Sequence, residues 1–156
     1  MSERVILLVE DSDDDAFITR KNLEEQLNED FCLMRKATMT DARKFISERK
    51  EDIEIILLDL RLPDTRDEED TFRSIQEHCQ QIPVVILTST HDHDLAVKFV
   101  GEGAEDFVNK ELLLEKPELL RDAVDFAIRR HRLLADANRQ KDMIISWMGG
   151  GYSLQK

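Results

Sequence analysis

Short apolar runs alternate with longer amphipathic stretches along most of this 156-residue chain. Strands are predicted over five apolar segments: Val5–Val9, Phe31–Met34, Ile53–Leu58, Val84–Thr88 and Asp106–Val108. Helices are predicted over the segments between and after them: Ala16–Leu27, Asp41–Arg49, Glu69–Cys79 and Leu95–Val100. Strands that alternate with helices pair in parallel through right-handed crossovers. The pattern therefore predicts an α/β fold, with helices on both faces of a parallel sheet.

Charge and composition exclude several classes of protein. The formal net charge is −12, which argues against nucleic acid and anionic membrane surfaces as partners, because both are bound by basic faces. No apolar run approaches the roughly 18–20 residues that a membrane helix needs. Cys32 and Cys79 follow no metal or redox spacing, so we expect reduced thiols and a cytoplasmic location.

Charged and polar side chains follow the predicted strands at the points where they end. Glu10 and Asp11 follow the first strand, and Asp59 follows the third. Thr88 ends the fourth strand, and Lys110 follows the fifth. Ligands of open α/β sheets bind outside the carboxyl ends of the strands. We therefore expect these five side chains to meet at one edge of the sheet.

The chemistry of this set indicates a magnesium and phosphoryl site. Carboxylate oxygens suit a hard cation, and Mg²⁺ is favoured where phosphate is also bound. A lysine and a hydroxyl add donors for an anionic group near the metal. An aspartate can itself attack phosphorus and become an aspartyl-phosphate.

Four segments, "LLVEDS", "IILLDLRLPD", "VVILTST" and "GAEDFVNK", occur in this order, and Lys110 lies 22 residues after Thr88. Together they resemble the receiver domain of two-component response regulators, the CheY-like family, over about residues 4–130. The resemblance implies a flavodoxin-like, doubly wound (βα)5 parallel sheet with strand order 2-1-3-4-5. It also implies a signalling domain and not an enzyme, one that at most catalyses its own phosphorylation and dephosphorylation.

The resemblance assigns roles to particular residues. Asp59 corresponds to the phospho-acceptor, Thr88 and Lys110 to the groups that bind the phosphoryl, and Phe107 to an aromatic switch that moves with Thr88. Four groups correspond to the Mg²⁺ ligands: Glu10, Asp11, Asp59 and the backbone carbonyl of Arg61. A histidine kinase or histidine phosphotransfer protein is the expected donor, and a downstream protein the expected target. Residues 13–15 are expected to cap a helix N-terminus.

Two alternatives remain open at this stage. Asp11 and Asp13 form a D-x-D pair after the first strand, as in phosphatases of the haloacid-dehalogenase type. In the second alternative, the chain is a regulatory fragment of a longer effector protein. Glu111 stands where many receivers have a proline, so the loop after the fifth strand is expected to differ in shape.

The last predicted helix, from about Pro117 to beyond Asn138, is longer than a receiver requires. We therefore divide the chain into a receiver domain, residues 1–130, and a helical extension with a tail, residues 131–156. Leu133, Leu134 and Ala137 are three and four residues apart and predict a narrow apolar seam. Isolated short helices are marginal in water. The extension is thus expected to pack against a second copy, giving a homodimer, or to connect to another protein.

Overall fold

The computed structural model describes residues 4–28 and 30–148. Five strands form one parallel sheet in the order β2-β1-β3-β4-β5: β1 Val5–Val9, β2 Cys32–Lys36, β3 Ile53–Asp59, β4 Val84–Thr88 and β5 Asp106–Asn109. Five α-helices accompany them: α1 Asp13–Gln26, α2 Met39–Arg49, α3 Glu68–His78, α4 His93–Gly101 and α5 Glu118–Met148. The fold class and the strand order predicted above are confirmed.

The sheet separates two apolar cores, because successive side chains of a strand point to opposite faces. One core packs α2, α3 and α4 against the sheet and includes Phe72 and Phe99, whose rings stack with centroids 4.6 Å apart. The other core packs α1 and α5 against the opposite face through residues such as Leu23 and Val124. Both faces of β1 and β3 are therefore covered, which holds their carboxyl ends at fixed positions.

β2 and the first four helices begin at residues other than those predicted, and the contacts of β2 and α1 explain two of these differences. β2 runs from Cys32 to Lys36 because it pairs in register with all of β1, which outweighs the polar character of its last two residues. α1 begins at Asp13, three residues early, because the Ser12 side chain accepts a hydrogen bond from the amide of Asp15. Ser12 is thus the cap, and the acids expected to cap the helix occupy its first turn instead.

The N-terminus of α2 is held from the loop after β3. The Asp64 carboxylate accepts hydrogen bonds from the Met39 amide at 2.8 Å and from the Thr40 amide and hydroxyl at 2.9 Å. Desolvation of the carboxylate disfavours its charged form, but these hydrogen bonds outweigh it and lower the pKa of Asp64. This acid therefore anchors a loop to a helix and lies outside the cluster at the sheet edge.

Only the first part of the 31-residue α5 is packed. Its buried residues end at Ile128, and every residue from 132 to 148 is exposed. His131 contacts the carbonyl of Gln81, and Arg132 lies 3.2 Å from Glu54, so the helix leaves the domain at the amino-terminal edge of the sheet. The predicted tail beyond residue 148 lies outside the described residues. Among those described, no helix has the length and apolar content to cross a bilayer.

Candidate functional site

Three carboxylates meet at the carboxyl edge of the sheet. Glu10 and Asp11 follow β1, and Asp59 ends the neighbouring β3. One oxygen from each of the three lies within 4.8 Å of the other two. Glu10 and Asp59 are buried, whereas Asp11 is exposed. The structure therefore brings the predicted acidic residues together, with one of them open to solvent.

Lys110, which follows β5, faces this cluster. Its Nζ lies 2.9 Å from Glu10 Oε1, 2.8 Å from Asp15 Oδ2 and 3.6 Å from Asp59 Oδ2. Asp15 is a member of the site that the sequence reasoning missed. Its signal was helical spacing, because Asp15 precedes buried Thr19 by four residues and so lies on the inward face of α1.

The electrostatics of the cluster leave negative charge in excess. Burial raises the pKa of Glu10 to about 8, the hydrogen bond and charge of Asp59 act in the same direction, and Lys110 opposes the shift without cancelling it. Burial also disfavours the charged form of Lys110, but Asp15, Asp59 and Glu10 outweigh it and raise the pKa of the ammonium. A divalent cation fits this set of oxygen ligands, since one ammonium cannot balance the clustered carboxylates.

Thr88 lies at the end of β4, beside the cluster, but its hydroxyl points elsewhere. The side chain is buried, and its Oγ1 donates a hydrogen bond to the Val108 carbonyl of β5 at 3.4 Å. Phe107 is partly buried, and its ring forms a T-shaped pair with the ring of His93 of α4, with centroids 5.2 Å apart. The two residues predicted as switch elements therefore lie on adjacent strands, and their switching roles stay predictions.

The backbone of Arg61 contacts Asp59, whereas its side chain contacts two acids outside the cluster of three carboxylates. Its amide donates to Asp59 Oδ1 at 3.3 Å, while its guanidinium pairs with Asp92 at 3.0 Å and with Glu68 at 3.4 Å. The amide contact fixes the position of Arg61 relative to the phospho-acceptor candidate. Metal binding by its carbonyl stays a prediction.

Glu111 joins the loop after β5 to the segment between β4 and α4 through hydrogen bonds. Its carboxylate accepts a hydrogen bond from the Thr90 hydroxyl at 2.7 Å, and its amide donates to Asn109 Oδ1 at 2.9 Å. The hydrogen bonds from the hydroxyl and the amide of Thr90 lower the pKa of Glu111. The peptide between Lys110 and Glu111 is trans. The loop therefore binds the β4–α4 segment directly, and Lys110 still reaches the acids.

A cavity of about 480 Å³ opens at this edge. Its lining combines the charged groups of the site with two apolar side chains: Glu10, Asp15, Asp59, Lys110, Ile18 and Leu114. Ile18 is 39 % exposed and Leu114 is 81 % exposed. The cavity is therefore bounded both by charged side chains and by a rim of two exposed apolar side chains.

The family model of the response regulator receiver domain matches residues 6–125. This chain belongs to that family. Receiver domains are signalling domains that bind a divalent metal in an acidic pocket and work with histidine kinases and effector domains. The D-x-D alternative is not supported by the structure, since Asp13 is 91 % exposed and paired with Arg35.

Two curated relatives are similar over most of the chain. The regulatory protein LuxO of Vibrio cholerae is 32 % identical over 119 residues, which cover 76 % of this chain and 25 % of LuxO. The C4-dicarboxylate transport transcriptional regulatory protein DctD of Pseudomonas aeruginosa is 31 % identical over 128 residues, which cover 80 % of this chain and 26 % of DctD. The matched region spans about a quarter of each relative.

Solved structures agree with the fold, and one of them is a metal-bound form of a response regulator. The signal receiver domain of a Luxo repressor protein from Vibrio parahaemolyticus has a TM-score of 0.70 and 31 % identity, covering 86 % of this chain and 97 % of that one. The Mn²⁺-bound form of response regulator Rcp1 has a TM-score of 0.57 and 26 % identity, covering 80 % of this chain and 89 % of that one.

Proposed function

We propose that this protein is a phosphorylation-activated switch that accepts a phosphoryl group on Asp59 from a histidine kinase or histidine phosphotransfer protein. One observation carries the proposal: the buried Asp59 carboxylate lies 3.6 Å from Lys110 Nζ and within 4.8 Å of ligand oxygens of Glu10 and Asp11. The apolar rim of Ile18 and Leu114 supports a protein as the donor, because it gives a docking contact beside the acceptor.

In the transfer, an Asp59 oxygen forms a bond to phosphorus, and the bond from phosphorus to the donor's imidazole nitrogen breaks. That nitrogen keeps the electron pair of the broken bond. Lys110 and the Thr88 hydroxyl stabilise the charge on the phosphoryl oxygens. The domain thus catalyses only its own phosphorylation and, with water as the attacking group, its own dephosphorylation.

Mg²⁺ is the proposed metal, held by Glu10, Asp11, Asp59 and the backbone carbonyl of Arg61. When bound, it supplies positive charge to the phosphoryl oxygens and offsets the repulsion among the acids. The raised pKa of Glu10 supports this assignment, because it marks a buried carboxylate whose charge lacks a full counterion.

Output is proposed to occur by protein contact at the face formed by α4, β5 and α5. Phosphorylation draws the Thr88 hydroxyl away from the Val108 carbonyl, and Phe107 moves into the space that is left. A groove of about 500 Å³ lined by His93, Phe107, Leu119 and Phe126 lies on this face. The position of Phe107 in its wall couples the groove to the switch. Nucleic acid and membranes are not proposed as partners, and the proposed location is the cytoplasm.

The acceptor assignment is tested by intact-mass measurement after incubation with acetyl phosphate and Mg²⁺. The native chain should gain one phosphoryl group, and Asp59→Asn should gain none. Asp14→Asn is the matched control, since Asp14 is an exposed acid in the first turn of α1. Equal labelling of the Asp59→Asn variant contradicts the proposal. Thr88→Ala should slow labelling and leave Mg²⁺ affinity nearly unchanged, whereas Asp11→Ala should weaken Mg²⁺ binding.

We also propose that residues 1–130 act as the receiver and that the helical extension after them joins two copies in parallel. Exposed apolar residues of α5 recur at spacings of three, four and seven residues: Phe126, Leu133, Ala137, Ile144 and Trp147. This spacing is that of a coiled-coil seam. Arg130 and Gln140 occupy seam positions between them, so we expect a weak dimer.

Sedimentation of the full chain and of two triple variants tests this dimer. Leu133, Ile144 and Trp147 are changed to Gln in one variant, and Ala135, Asn138 and Ser146 in the control. The seam variant should sediment as a monomer at concentrations where the native chain and the control self-associate. If all three proteins are monomers with and without phosphodonor, the extension serves a different protein partner.

A further inference from the structure

We infer that Arg35, near the end of β2, is a positioning residue for the metal-binding acids. Its Nε donates to the Glu10 carbonyl at 2.9 Å, and its Nη2 donates to the Asp11 carbonyl at 3.0 Å. Its Nη1 pairs with Asp13 Oδ1 at 2.7 Å. One planar guanidinium therefore binds two backbone carbonyls and one carboxylate of the segment that carries two of the three acids.

These contacts fix the direction of the ligand side chains. The Glu10 and Asp11 carbonyls belong to the two peptide groups on either side of the Asp11 Cα atom, so rotation of either group breaks a hydrogen bond to Arg35. The Glu10 amide also donates to the Lys36 carbonyl at 3.0 Å. The end of β2 thus holds the end of β1, and it orients the Glu10 and Asp11 carboxylates toward Asp59.

Because Arg35 is positively charged, a positioning role and a direct charge effect predict opposite changes in Mg²⁺ affinity when the side chain is removed. A guanidinium near a metal site repels the cation, so a purely electrostatic Arg35 would weaken Mg²⁺ binding, and its removal would strengthen it. A positioning Arg35 has the opposite effect, because its loss frees the loop and weakens binding. Lysine keeps the charge, but its single nitrogen cannot reproduce the planar fork that bonds two carbonyls and a carboxylate.

Titration of the full chain with Mg²⁺ alone, followed by calorimetry, tests the inference, which rests on the proposed Mg²⁺ site. Arg35→Met and Arg35→Lys should each weaken binding by about 10-fold, as is typical when a partner of a metal ligand is lost. Arg132→Met is the matched control, because Arg132 pairs with Glu54 at the opposite edge of the sheet. Its affinity for Mg²⁺ should equal that of the native chain.

Asp13→Asn distinguishes the ion pair of Arg35 from its two hydrogen bonds to carbonyls, because it removes the carboxylate and keeps both carbonyl hydrogen bonds. We expect a loss of affinity of only about 2-fold, less than that of an oriented ligand partner. Thermal unfolding without Mg²⁺ is measured for every variant. If Arg35→Met does not fold, Arg35→Lys and Asp13→Asn carry the test.

Tighter binding by Arg35→Met with native affinity in Arg35→Lys would overturn the inference in favour of a charge effect. Lower thermal stability with unchanged Mg²⁺ affinity would overturn it in favour of a structural role. Asp11→Ala distinguishes both results from failure of the metal site itself. If that variant also binds Mg²⁺ like the native chain, the proposed site is wrong and the role of Arg35 falls with it.

Discussion

The two edges of the sheet differ in charge and in packing. At the carboxyl edge, Lys110 is paired with Glu10 after β1, with Asp15 of α1 and with Asp59 of β3, and its side chain is only 17 % exposed. At the amino-terminal edge, α5 leaves the domain with five basic and two acidic residues between 129 and 148, and its apolar side chains face solvent. The first edge is a polar site of mostly buried, paired charges, and the second carries a helix whose apolar side chains are exposed.

This difference shows what holds each region in place. The acids are positioned by strands whose both faces are covered, so their geometry depends on the whole domain. The extension owes its form to helix propensity and to the packed turns before it, since the part beyond Arg132 is exposed along its whole described length. Changes at one edge should therefore alter phosphoryl chemistry alone, and changes at the other should alter association alone.

Loss of Lys110 should have the largest effect on this separation. We expect Lys110→Ala to slow phosphorylation by acetyl phosphate about 100-fold, because it removes the ammonium that faces Asp59 and the transferring oxygens. Lys98→Ala is the control, since Lys98 pairs with Glu69 on the surface. A chain that ends after Arg132 should keep the native rate. Slow labelling of the shortened chain would show that the two edges are coupled.

A charge reversal in the extension should have the next largest effect. With Ala137 and Ile144 at the first position of the heptad, Asp136 of one helix faces Lys141 of the second in a parallel pair. Asp136→Lys should weaken self-association about 10-fold, and the double variant Asp136→Lys with Lys141→Asp should restore it. Sedimentation measures both. Weakening without restoration would argue for an antiparallel pair or another register.

Substitution of Asp64 should have a smaller effect, and on stability only. Asp64→Ala should lower the free energy of unfolding by about 1 kcal/mol, because the α2 N-terminus loses its acceptor. The Asp64 carboxylate is exposed, so solvent screening keeps this contribution small. Urea unfolding with Asp14→Ala as control measures it, and phosphorylation should stay native.

The native chain and Asp64→Ala should differ in stability by an amount that depends on pH, because the pKa of Asp64 is lowered in the folded state. A pKa that is lower in the folded state adds stability above the ordinary aspartate pKa of about 4, and this contribution is lost as the pH falls through the folded value. The native chain and Asp64→Ala should therefore converge in stability at acid pH. A constant difference down to pH values below about 3 would assign the effect to packing.

The sequence predicted the sheet and the acidic cluster because both depend on periodicity and on strand ends. It did not identify Asp15 as a partner of Lys110, since three consecutive aspartates look alike until the cap at Ser12 sets the rotation of α1. The contacts of Arg35 could not be predicted either, because they are made to backbone carbonyls, which every residue has. Closure by Glu111 likewise depends on how two loops meet.

The smallest predicted effect uses Trp147, the only tryptophan of the chain. Its side chain is 88 % exposed near the end of α5, far from the acidic edge. Its emission maximum should move by a few nanometres to shorter wavelength as the protein concentration rises, because the seam excludes water from the indole on dimerisation. Mg²⁺ should leave the emission unchanged at concentrations where the chain is a monomer, and Ile144→Gln should suppress the concentration dependence. A shift caused by Mg²⁺ in the monomer would mean that the extension responds to the site directly, without a second copy.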